Sequence, residues 1–103
     1  MKIDDSMITT DEIPDGLRFI IKGRIDSVYA LPIQEKMEEA VKNGVIKIIL
    51  NMSQVEYLSS AGIRVILKTH RDLKKAGGAF GIEKPSNNVK NVIGMAALNE
   101  LLV

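Results

Sequence analysis

The stretch Tyr57-Leu-Ser-Ser-Ala-Gly-Ile-Arg-Val-Ile-Leu67 joins two segments of different period, and its reading decides the fold. Upstream, Val45-Ile-Lys-Ile-Ile-Leu50 is a short apolar run rich in β-branched residues, which reads as a buried central strand. Downstream of Ser60, Ile63, Ile66, Leu67, His70 and Leu73 recur on one helical face, while Arg64, Lys68, Arg71 and Lys75 occupy another. Ala76-Gly77-Gly78 ends the pattern, so an amphipathic helix follows the serines directly. A buried strand leading through a short polar junction into such a helix is half of a βαβ unit.

Outward from this unit the same alternation continues. Met7 to Glu12 suits a first strand, and Pro14-Asp15-Gly16 is turn chemistry, because proline presets φ and glycine accepts positive φ. Leu17-Arg-Phe-Ile-Ile-Lys-Gly23 completes a hairpin. Ile33, Met37, Ala40 and Val41 are spaced for a first helix that stops at Asn43-Gly44. Ala79 to Glu83 reads as another strand, Pro85-Ser-Asn-Asn as a loop, and Val89, Val92, Ile93 and Ala96 as a third helix. The apolar tail from Met95 to Val103 suits a helix or a closing strand. The expectation is an α/β domain with a mixed central sheet of about four to five strands packed against about three to four helices.

Composition narrows the function classes. A chain of 103 residues, 46% hydrophobic and 26% charged, fits one domain over residues 1–103. A net charge of +1 gives little general attraction to nucleic acid, so any basic function must be local. Cysteine is absent, which removes disulfide and thiolate chemistry. The acidic start MKIDDSMITTDEIPDG has no leader-like apolar core, and no window approaches a membrane span. A soluble, cytoplasmic protein without membrane insertion is expected.

The serines admit two readings. A serine at a strand-to-helix junction caps the first turn by accepting from a free backbone N–H, worth ~1 kcal/mol relative to alanine. Two serines exceed what one cap requires, and Ala61-Gly62 allows close approach of another surface. A phosphoryl group there would meet the partial positive charge of the helix start, with Arg64 one turn on from Ser60.

With those residues in view, Ile48-Ile-Leu-Asn-Met-Ser-Gln-Val-Glu-Tyr-Leu-Ser-Ser-Ala-Gly-Ile63 resembles the signature of STAS domains, specifically bacterial anti-sigma factor antagonists. That signature is an apolar strand followed by Asp-Ser-(Ser or Thr)-Gly-(Leu or Ile) at a helix start. Ile21-Lys-Gly-Arg-Ile-Asp26 resembles the family's Gly-Glu-(Leu or Ile)-Asp segment, and Lys75-Ala-Gly-Gly78 before a strand is also typical. Aligned on Gly62, the family's phosphorylated serine falls on Ser60. Ser59 then stands in place of the usual Asp, and Ala61 in place of the second Ser or Thr. Asp26 matches an acidic residue that helps shape the partner surface; equally, it begins the turn before the first helix.

The resemblance implies partner switching. The unphosphorylated protein would bind an anti-sigma factor, itself a serine kinase of the histidine-kinase-like ATPase fold, and so release a sigma factor. Phosphorylation of Ser60 would block binding, and a metal-dependent serine phosphatase would reset the switch. Asp26, Ser59, Ser60, Ala61, Gly62 and Arg64 are the implied partner-binding residues. The alternative is a stand-alone STAS subunit of a lipid-transport ATPase or sensory assembly without sigma control. In either case no catalysis, cofactor or metal is expected.

The residues agree with that expectation. Gly77-Gly78 and Gly81 form no phosphate-binding motif. His70 is the one histidine and, without cysteine, makes no zinc set. Ser60 and His70 lie ten residues apart on one helix, about 15 Å, too far for a nucleophile and its base. The basic stripe Arg64, Lys68, Arg71 and Lys75 reads as a solvated face or as a dock for an acidic partner. With two Phe, two Tyr and no Trp in the chain, and none among the stripe, direct nucleic-acid binding is disfavoured.

Overall fold

A computed structural model describes residues 7–103; the first six residues of the acidic N-terminal stretch lie outside the described residues. The elements run β1 (Ile8–Ile13), β2 (Gly16–Ile25), α1 (Ser27–Lys42), β3 (Lys47–Leu58), α2 (Ser60–Lys75), β4 (Ala79–Glu83) and α3 (Asn87–Met95), then a 3-10 turn at Asn99–Leu101. The strands form one sheet in the order β1-β2-β3-β4. β1 pairs antiparallel with β2 across the Pro14-Asp15-Gly16 turn, where Asp15 takes a φ of 68°. β2 with β3 and β3 with β4 pair parallel.

This topology places the helices. Two successive right-handed crossovers, β2-α1-β3 and β3-α2-β4, put α1 and α2 on the same face of the sheet. There Ala30, Ile33 and Met37 of α1 and Val65 and Ile66 of α2 close over Ile21, Leu50 and Met52, all buried. The opposite face carries a polar ladder across four strands. Arg18 reaches Asp11 at 3.4 Å and Glu83 at 2.9 Å, and Asn51 donates to Glu83 at 3.1 Å. α3 packs on β3, anchored by Ser86, whose hydroxyl donates to the Val55 carbonyl at 2.6 Å.

The larger departures from the expected bounds each have a local reason. β3 continues to Leu58 because two bulges against β2 each add a residue, so inward side chains Met52, Val55 and Leu58 fall three apart instead of two. β2 continues past Gly23, which absorbs a φ of +91° within the strand. α1 begins at Ser27, ahead of Pro32; that proline lacks the N–H owed to the carbonyl four residues back, yet the helix runs through it because Tyr29, Ala30 and Ile33 are all buried. The tail forms the 3-10 turn and one parallel bridge, Leu102 to Ile82, in place of a helix or full strand.

Candidate functional site

α1 and α2 start side by side because β2 and β3 end side by side. Ile25 is paired with Leu58, and the Ser59 N–H donates to the Ile25 carbonyl at 3.0 Å. The carboxyl edge of parallel strands is where an α/β sheet presents helix N-termini, with their free N–H groups and partial positive charge. Here two such termini open on one rim.

Each terminus has its own cap. Asp26 caps α1, its carboxylate accepting from Val28 N–H at 3.1 Å and Tyr29 N–H at 2.8 Å. The turn-forming role of Asp26 is therefore realised, on a residue that remains exposed. Ser59 caps α2, its hydroxyl accepting from Gly62 N–H at 3.2 Å. The two serines thus divide the work. Ser59 is half-buried and committed to the helix; Ser60, the first residue of α2, is exposed, and its hydroxyl has no partner among the described residues.

The remaining sequence-selected residues separate by direction. Arg64 is exposed one turn beyond Ser60. Ala61 packs partly against the core, and Gly62 is buried. A Cβ on Gly62 would stand 2.5 Å from Leu58 Cδ1 and 2.9 Å from Ile25 Cγ2, so the surface this glycine admits is the protein's own sheet. Gly62 thus lets the first turn of α2 pack closely on the ends of β2 and β3.

The rim also carries apolar side chains that periodicity did not reveal. Val28 is 55% exposed, Leu31 57% and Tyr57 40%, three of the large hydrophobic residues the fold leaves in solvent. Val28 and Leu31 lie on the first turns of α1, and Tyr57 precedes Leu58 and the Ser59 cap. Arg24, paired with Tyr57 in the sheet, holds its guanidinium 4.5 Å from the Tyr57 ring centroid, a cation–π contact. The signal available in sequence was Val28 and Leu31 standing before a proline; without the start of α1 their faces could not be assigned.

Asp26 stands beside the Ser59-Ser60 junction, but His70 does not join them, so no Ser-His-Asp constellation forms. His70 packs beside Phe80, ring centroids 6.1 Å apart, in the half of α2 remote from the caps. Among the described residues no cluster of metal-binding side chains occurs, and no helix is long and apolar enough to cross a membrane. The basic stripe is uneven: Lys68 bridges Asp72 at 2.8 Å and Glu38 at 3.4 Å, the Asp72 hydrogen bond chiefly holding its ammonium pKa above the usual value. Arg64 and Arg71 make no such pair among the described residues.

Comparison with known proteins places this geometry. A family model described as the STAS domain matches residues 7–102. A candidate anti-sigma factor antagonist, BtrV of Bordetella bronchiseptica, is 26% identical over 85 residues, covering 82% of this chain and 73% of BtrV. The unphosphorylated anti-sigma factor antagonist SpoIIAA superposes with a TM-score of 0.84 at 20% identity, over 93% of this chain and 85% of SpoIIAA. The phosphorylated form of SpoIIAA, a Bacillus cell fate determinant, gives 0.77 at 19% identity, over 93% and 88%. At these identities the two structures establish a shared fold.

Proposed function

The chain belongs to the STAS domain family, and on that premise we propose that it is an anti-sigma factor antagonist that works by partner switching through Ser60. The observation that carries the proposal is the division of the serine pair. Ser59 is used up as a cap, while Ser60 offers an exposed hydroxyl without a partner among the described residues, on the same sheet edge as exposed Val28, Leu31 and Tyr57. The naming of BtrV and SpoIIAA as antagonists, and the existence of SpoIIAA in both phosphorylation states, support it.

In this scheme the unmodified rim docks an anti-sigma factor that is also a serine kinase of the histidine-kinase-like ATPase fold, freeing a sigma factor. The rim suits such a partner: exposed apolar side chains supply area, and the Ser60 hydroxyl is small enough to be covered. A phosphate on Ser60 adds roughly −1.5 to −2 charges at neutral pH. Exposed Arg64, one turn away, offsets only part of that charge, so covering it against Val28 and Leu31 is costly and the modified form dissociates. A metal-dependent serine phosphatase restores the hydroxyl. The protein itself serves as substrate and binding module.

The test is site-resolved phosphopeptide mass spectrometry on protein recovered from its own cells, with co-purifying proteins identified and Ser60→Ala as the control. Phosphate on Ser60 together with a kinase-fold partner held by the unmodified form is expected. An unmodified Ser60 under every growth condition, with a transporter ATPase or sensory assembly co-purifying, would instead make the protein a STAS subunit of that complex.

A further inference from the structure

Beyond the rim, the seam between α1 and α2 forms an open groove of about 400 Å3 lined by Gln34, Arg64, Leu67, Lys68 and Arg71. Its charge is set by which cations are already neutralised. Lys68 is held between Glu38 and Asp72, whereas Arg64 and Arg71 are exposed and have no acidic partner among the described residues. These two guanidiniums lie seven residues apart on α2, two helical turns or about 10 Å along the axis. Half-buried Leu67 stands between them, and exposed Leu31 lies one turn before Gln34 on α1. An apolar floor bracketed by two free guanidiniums at a fixed spacing is complementary to one class of occupant.

The geometry points to a docking groove for an acidic amphipathic segment of a partner protein, bearing two carboxylates about two helical turns apart with an apolar side chain between them. Arg64 and Arg71 would each pair a carboxylate, since the planar guanidinium favours bidentate contact. The apolar side chain would cover Leu67. Nucleic acid fits less well: no aromatic side chain lines the groove for base stacking, and Glu38 and Asp72 stand on its border against a phosphate backbone. Leu67 and Arg71 lie two to three turns along α2 from Ser60, so a phosphate there would compete for Arg64 alone and leave the far half of the groove in place.

The experiment uses a stapled helical peptide with two glutamates two turns apart and a leucine midway, titrated into the isotope-labelled protein and followed by amide chemical shifts. Saturable shifts confined to Gln34, Arg64, Leu67, Arg71 and their neighbours are expected, weakening as salt is added. Arg71→Gln, an exposed change checked for folding by circular dichroism, should weaken binding about threefold, the scale of one exposed ion pair. Replacing the peptide leucine with serine should weaken it further. Shifts scattered over the surface, affinity indifferent to Arg71→Gln, or equal occupation of the groove by single-stranded DNA of the same charge would overturn the proposal.

Discussion

Gly62 lies against Leu58 so closely that a Cβ on the glycine would come within 2.5 Å of Leu58 Cδ1. Leu58 is 3% exposed and Ile25, the next neighbour, also 3%, so neither side chain has solvent to move into. Gly62→Ala is therefore expected to destabilise the fold by about 1–3 kcal/mol, the usual range for overpacking. Urea unfolding measures it; an unchanged midpoint would show that α2 shifts outward freely.

Ser59 and Ser60 should respond unequally to alanine. Ser59→Ala removes the hydroxyl that accepts from Gly62 N–H and should cost about 1 kcal/mol. Ser60→Ala touches an exposed hydroxyl and should stay within about 0.5 kcal/mol. Thermal unfolding of the two variants decides the matter. Equal losses would mean that both serines cap the helix.

Phosphate on Ser60 should switch binding without unfolding the protein. It would sit on the first residue of α2, where the helix N-terminus favours a negative charge by about 0.3–1 kcal/mol, with Arg64 one turn away. The phosphorylated form should melt at the same temperature as the unmodified form or slightly above it. A clear fall in melting temperature would locate the switch in the fold and not at its surface.

Asp26 allows charge to be separated from capping. Asp26→Asn keeps a side-chain acceptor for Val28 and Tyr29 N–H, so stability should change by less than about 0.5 kcal/mol. Asp26→Ala should cost about 1 kcal/mol. If Asp26 helps shape the partner surface through its charge, anti-sigma factor binding measured by calorimetry falls for Asp26→Asn as well; binding intact in Asp26→Asn assigns the residue to capping alone.

Tyr29 predicts an alkaline limit. Its phenol is buried, which pushes its pKa up to about 12, and its hydroxyl donates to the Met7 carbonyl at 3.0 Å. The unfolded chain ionises this group near pH ~10, so between there and about 12 the folded state holds the extra proton. The sign follows: the contribution is complete below ~10 and is lost as pH rises towards 12. Ultraviolet titration should show a phenol ionising near 12 that disappears in Tyr29→Phe. A transition near 10 from Tyr29 would contradict the burial.

Much of the architecture was legible because it depends on local rules. The hairpin followed from Pro14-Asp15-Gly16, α2 from the spacing of Ile63, Ile66, Leu67 and Leu73, and the serine junction from its place between a strand and a helix. These features arise from backbone conformational preference and hydrophobic periodicity, which a linear sequence displays. Where the period was interrupted, reading stopped early: at the bulges of β3, at Gly23 in β2 and at Pro32 in α1.

The sequence by itself determined the order of elements, the presence of a helix start at the serine pair and the resemblance to STAS domains. Which serine is spent on the helix and which is free was decided by the tertiary structure, because a hydroxyl's hydrogen-bond partner depends on where the chain enters α2. The sheet decided the rest. By tying Ser59 to Ile25 it set two helix caps beside each other, and by packing α1 against α2 it left Val28 and Leu31 on the rim and Arg64 and Arg71 along one groove. Those juxtapositions join residues dozens of positions apart, and their spacing comes from strand pairing and helix packing, which no local pattern encodes.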